Sequence, residues 1–143
     1  MTRRRDERGA VAMELVVLVP MLMMVLGVMT AGWRLWTART QVSDAAAAAA
    51  RAATLESSGQ AAAERARLVA RADLETVKAE CDPSSVDVDT SAFATPPGQP
   101  GKVRVDVTCR VRLSDLIAPG LPGSWQVQAN REHSLDTFRE RRP

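Results

Sequence analysis

Large aromatic side chains are nearly absent from this 143-residue chain, which has two Phe, three Trp and no Tyr. That scarcity argues against a deep ligand pocket, which needs apolar walls around a few convergent polar groups. The single histidine, His133, excludes a multi-histidine metal site and argues against a histidine-based triad. Two cysteines, Cys81 and Cys109, cannot hold a zinc ion alone. Charge of one sign is lacking too: 19 Lys and Arg stand against 17 Asp and Glu, for a net +2. Such a balance does not favour a nucleic-acid partner. No phosphate loop, nucleophile elbow or paired-carboxylate pattern occurs. Composition therefore leans away from an enzyme, and no cofactor or metal is expected.

What the chain does have is one long apolar block. Hydrophobic residues make up 45% of the sequence, but 23 of them are Ala and five of the six Met fall between Met13 and Met29. Ala10 to Trp33 is a run of 24 residues with one charge, Glu14. At about 1.5 Å per residue such a helix reaches roughly 36 Å, enough for a hydrocarbon core of about 30 Å. Four Arg precede the block (Arg3, Arg4, Arg5 and Arg8), whereas only Arg34 and Arg39 follow closely. This bias predicts a cytoplasmic N-terminus and an exported C-terminal part. Trp33 and Trp36 stand where the helix leaves the lipid, as interfacial anchors do.

Two residues of the block do not fit a plain anchor. A carboxylate near the bilayer centre costs about 2.5–3.5 kcal/mol on insertion scales, so Glu14 marks a function unless it reaches back to the headgroups. Pro20 removes a helix hydrogen bond and is expected to kink or loosen the helix, although transmembrane helices do tolerate proline.

These residues carry a resemblance. Arg8-Gly9-Ala10-Val11-Ala12-Met13-Glu14-Leu15, followed by an apolar run with Pro20, resembles the processing site of type IV pilin-like proteins. In that family a prepilin peptidase cuts after the Gly, and Glu is the fifth mature residue; counted from Ala10, Glu14 is fifth. The basic leader, the apolar helix, an Ala-rich helix and a small strand-rich C-terminal part together resemble the TadE-like minor pseudopilins of tight-adherence (Flp) pilus systems. Leu15 departs from the Tyr that major Flp pilins carry after the Glu, and the chain is too long for a major pilin. The resemblance implies a bacterial inner-membrane, single-pass protein without catalysis of its own. It also implies as partners the membrane, a prepilin peptidase, other pseudopilins or the Flp pilin, and a pilus assembly platform. Gly9 and Ala10 would be the processing site, and Glu14 with Pro20 would serve assembly and register. On this reading the amine freed on Ala10 needs a counter-charge in low dielectric, which Glu14 of a neighbouring subunit supplies. The small residues Ala10, Val11 and Ala12 would allow close helix approach.

The expected fold is α+β: a long N-terminal transmembrane helix continuing into an Ala-rich helix, then a small antiparallel sheet. The segments are a basic leader (1–9), the transmembrane helix (10–33), an Ala-rich helical stalk (34–81), a small antiparallel β region (82–135) and a polar tail (136–143), frayed at the end. Ala45 to Ala50 are six consecutive strong helix formers. A break falls at Glu56–Gly59, with Ser57 and Gln60 as a weak capping box. Beyond it Ala63, Ala66, Ala70, Leu74, Val77 and Cys81 form a helical stripe, and Arg71 with Glu75 an i,i+4 pair. This Ala-rich face suits neighbouring helices or the protein's own sheet.

Asp82-Pro83 ends the helix. Val86 and Val88 alternate in a third strand, and Ser91 to Gly101 reads as a loop. Lys102 to Ser114 is the clearest strand, with Val103, Val105, Val107, Cys109, Val111 and Leu113 inward and Arg104, Arg110 and Arg112 on a solvated face. Ser124 to Glu132 is its hairpin partner, with Trp125, Val127 and Ala129 inward. Cys81 and Cys109 are expected to form a disulfide, because both lie on the exported side and on apolar faces. The bond would close a 29-residue loop, worth roughly 3.5 kcal/mol in the chain-entropy model; two buried free thiols are the alternative. Two other functions remain open: a secreted binding module released by a cut near Thr30-Ala31-Gly32, and an uncut envelope regulator.

Overall fold

The computed structural model describes residues 6–76, 84–112, 114 and 122–138, with the side chains of 6–12, 76 and 84 left aside. Helix α1 runs Asp6–Ala53 and helix α2 Gly59–Thr76. Strands β1 (Ser84–Asp89), β2 (Gly101–Arg112) and β3 (Ser124–Leu135) form one antiparallel sheet in the order β1-β2-β3. The class is α+β.

Helix α1 holds 48 residues without interruption, roughly 72 Å of axis at 1.5 Å per residue. It passes through Pro20 as a continuous helix; the lost hydrogen bond does not break it. Its two halves differ in surroundings. Every described side chain from Met13 to Thr30 is exposed, whereas Val42, Ala45, Ala46, Ala49, Ala50 and Ala53 are buried. The second half lies on β2 and β3, and α2 folds back beside it over β1.

The connection shows local chemistry the sequence only partly revealed. The helix stops at Ala53, where the Thr54 hydroxyl donates to the Arg51 carbonyl at 2.8 Å. Ser58, not Ser57, caps α2: its Oγ accepts from the Ala61 amide at 3.3 Å, and its carbonyl accepts from Ala62 at 2.9 Å. Gln60 reaches forward to Glu64 at 3.4 Å instead of completing a capping box. Gly59 lets the start of α2 approach the 90–93 segment closely, since a Cβ there would lie 3.2 Å from Thr90 Oγ1.

The buried face of α2 is Ala62, Ala66, Ala70 and Leu74, with Ala62 in the place expected of Ala63. Alanine at these positions costs no side-chain entropy and lets helix, helix and sheet approach closely. Val77 and Cys81 lie outside the described residues. Arg71 and Glu75 are exposed, and ion pairs join Glu132 of β3 to Lys102 and Arg104 of β2.

The sheet follows the period-two pattern closely. Val103, Val105, Val107, Cys109 and Val111 are buried under the helices, and Arg104, Asp106, Arg110 and Arg112 are exposed. Val107 sits opposite Val86 on one side and Ala129 on the other. Strand β3 extends to Leu135, three residues past its expected end, and Leu135 is buried. The stretch after Thr90 is not all loop: Ser91–Ala94 forms a 3-10 turn that buries Ala92 and Phe93. Phe93 is the one aromatic residue in a buried core built mostly of Ala and Val, among the described residues. The tail is tied down at its start, where the Gly98 amide donates to the Thr137 carbonyl at 2.8 Å.

Candidate functional site: the uncovered half of the long helix

The chemistry-bearing residues singled out by the sequence concentrate on the first half of α1. Most residues here are good or tolerable helix formers, with Pro20 and Gly27 as internal weak points after Gly9, and nothing stands within 4 Å of a Cβ built at Gly27. Fourteen large apolar side chains between Met13 and Met29 are exposed, from Met13 at 75% to Val25 at 47%. Taking each from water into an apolar environment is worth about 1.5–3 kcal/mol, so covering the set is worth roughly 20–40 kcal/mol as an upper bound. Met13 to Thr30 spans about 27 Å of helix, close to the hydrocarbon thickness of a bilayer. This is one helix near the N-terminus long and apolar enough to cross a membrane. The gain exceeds the cost of Glu14, at most a few kcal/mol, by several-fold, so one carboxylate does not prevent insertion.

Glu14 is exposed and projects from the same uncovered segment as Met13 and Leu15. Gly9 and Ala10 are helical in backbone, inside the first turns of α1. Gly in a helix costs up to about 1 kcal/mol relative to Ala and terminal turns fray, so the Gly9–Ala10 bond lies where the helix opens most easily. Pro20 stands one and a half turns beyond Glu14, within the exposed span.

Among the described residues, the module built from the second half of α1, α2 and the sheet carries no comparable concentration of reactive groups. Outward on the sheet, Arg104 Nε donates to Glu132 Oε1 at 2.9 Å and Lys102 Nζ stands 3.4 Å from Oε2. Hydrogen bonding to Arg104, then to Lys102, holds the Glu132 carboxyl below its ordinary range, and the same pairing raises Arg104. The Asp89 carboxyl is lowered because it accepts the Ser91 amide at 2.9 Å. His133 is exposed at the sheet edge, with Nδ1 3.4 Å from the Ser134 carbonyl. On the inward face Arg131 of β3 donates to Ser43 Oγ of α1, which ties helix to sheet.

Cys109 is fully buried on the inward face of β2, and no cysteine among the described residues is free. Cys81 lies outside the described residues. Trp125 shares the inward register but is 56% exposed, because the helices do not cover this end of β3. Two open grooves run between α1 and the sheet, one of about 790 Å³ lined by Gly32, Leu35, Trp36, Arg39 and Trp125 to Gln128. The second, of about 750 Å³, continues past Thr40 and Ser43 to Arg131. Sequence reasoning missed these grooves and Phe93, since neither leaves a periodic signal.

Comparison with known proteins gives one match. Residues 9–51 match the family model described as TadE-like protein. The matched stretch begins at Gly9 and ends two residues before the end of α1, so it covers the exposed span and the Ala-rich half. Neither a curated protein nor a solved structure matches the chain.

Proposed function

From the premise that residues 9–51 are a TadE-like segment, we propose that this protein is a single-pass inner-membrane component of a tight-adherence (Flp-type) pilus system. It is a minor pseudopilin, with a cytoplasmic N-terminus and an exported α+β module, and it catalyses nothing itself. The observation that carries the reading is the uncovered apolar half of α1 with Glu14 set into it. A span meant only to anchor gains nothing from a carboxylate; a span that assembles against other helices does. A prepilin peptidase would cut between Gly9 and Ala10, and the new amine would pair with Glu14 of a neighbouring subunit and so fix axial register. Pro20 frees the carbonyl one turn before it for a bond across such an interface.

A signal-peptidase cut near Gly32 fits the fold less well. That bond lies in mid-helix, one turn from Leu35, which packs against the core. The test is Glu14→Ala in the cell that makes the pilus. We expect normal membrane insertion and loss of assembled pili by electron microscopy; normal pilus numbers would remove the assembly role of Glu14.

A further inference from the structure

We propose that the end of the sheet formed by Arg112 and Ser124 is seated in the phospholipid headgroup layer of the leaflet from which α1 emerges. The inference rests on the membrane-spanning reading of α1 and adds a second membrane contact to it.

The geometry comes from how α1 lies on β3. Residues Gly32, Leu35, Trp36 and Arg39 of α1 line one groove with Trp125 to Gln128, and Ser43 meets Arg131 further along. Helix and strand therefore ascend together, and the Ser124 end of β3 stands level with the last turns of the apolar span. All three Trp of the chain gather there. Trp33, Trp36 and Trp125 are 74%, 72% and 56% exposed, unusual for the chain's largest apolar side chains. Trp33 and Trp36 are about 4.5 Å apart along the axis, within the interfacial layer of roughly 5–7 Å on each side of the hydrocarbon. Trp is the residue best suited to that layer, with an apolar ring and one donor.

Charge at this end fits a phosphate surface. Residues 30–40, 107–112 and 122–128 contain no Asp or Glu, and the segment 113–121 that joins the two strands has one acid, Asp115, against Arg34, Arg39, Arg110 and Arg112. Arg110 and Arg112 pair in register with Gln126 and Ser124, on the rungs beside Trp125. The acidic residues Asp106 and Glu132 lie further up the sheet, and α2 carries Asp73 and Glu75 over the β1 side. Arginine side chains near an anionic leaflet are attracted to its phosphates. Seating the hairpin end would fix the module's tilt against the membrane, which a lone helix joint would not.

The experiment uses the full-length protein reconstituted in phosphatidylcholine–phosphatidylglycerol vesicles with acyl-brominated lipid as quencher. One variant keeps only Trp125 (Trp33→Phe with Trp36→Phe); another keeps only Trp33 (Trp36→Phe with Trp125→Phe). The expected result is quenching of Trp125 comparable to that of Trp33, and a loss of Trp125 quenching alone when Arg39→Gln and Arg110→Gln are added. Quenched Trp33 with unquenched Trp125 would overturn the seating and leave the span intact. Quenching of neither would overturn both. Trp125 quenching that survives removal of the two Arg would overturn the part assigned to phosphate.

Discussion

Val107→Asp is the substitution that most severely tests the placement of the sheet under the helices. Val107 is 1% exposed, in the middle of the central strand, between Val86 and Ala129. Losing the buried valine forfeits about 1.5–3 kcal/mol of transfer free energy. The new carboxylate would face Val- and Ala-built surroundings, and no buried polar or charged side chain is found among the described residues to receive it. Burying an unpaired ion costs several kcal/mol even after relaxation. The sum, about 5 kcal/mol or more, is comparable to the whole stability of a small domain. Val107→Ala leaves only the transfer and cavity terms, about 2 kcal/mol. Arg110→Ala, on the exposed face of the same strand, is a control expected within about 0.5 kcal/mol. The assay is tryptic cleavage within β2 of the full-length protein in detergent, where the rate follows the open population. Wild type and Arg110→Ala should resist alike, Val107→Ala should be cut about 10- to 30-fold faster, and Val107→Asp should be cut at once. Equal resistance in Val107→Asp and wild type would refute the inward placement of β2.

Two further outcomes are expected. Alkylation of the unfolded, non-reduced protein should find no free thiol, because Cys81 is three residues before Ser84, which lies directly opposite Cys109; that puts Cys81 within about 10 Å of chain reach, and two alkylated thiols would rule the bond out. Glu132→Gln should weaken the module slightly at neutral pH: the Glu132 carboxyl is held below its ordinary value, so its contribution is present above that value and is lost as pH falls through the lowered one. The difference between Glu132→Gln and wild type in denaturation midpoint, followed by Trp fluorescence, should vanish in acid, and a difference that grows there would reverse the assignment.

What the sequence made legible follows from periodicity and length. The apolar span, the alternation of β2 and the α+β order were readable because each element repeats one physical choice over many residues. The alternation of Val103 to Val111 needs no tertiary knowledge, since any sheet covered on one face demands it. Other features depend on what packs where. Ala62 rather than Ala63 is buried because the covered face of α2 is a narrow i,i+4 row, Ala62, Ala66, Ala70 and Leu74, and Ala63 stands at its flank. Phe93 is buried by a turn inside a segment rich in loop residues, where a lone aromatic carries no period. Trp125 has the inward register but stays exposed, because the register says which face a residue occupies and not how far the covering helix extends. The continuity of α1 through Pro20 likewise depends on a single lost hydrogen bond being tolerated by the turns around it. In the candidate site, Glu14 was visible as a lone charge in an apolar block and the Gly9–Ala10 bond through the resemblance to pilin-like processing sites, whereas the groove between α1 and β3 exists only in the folded arrangement.

The central claim is that α1 is a processed, membrane-retained assembly helix, and the mature N-terminus tests it most directly. Intact mass and N-terminal sequencing of the protein from the membrane fraction should give a chain of 134 residues beginning at Ala10, nine fewer than the full sequence. A chain beginning at Trp33 and released from the membrane would contradict the account, because the span that carries Glu14 would then be absent from the mature protein.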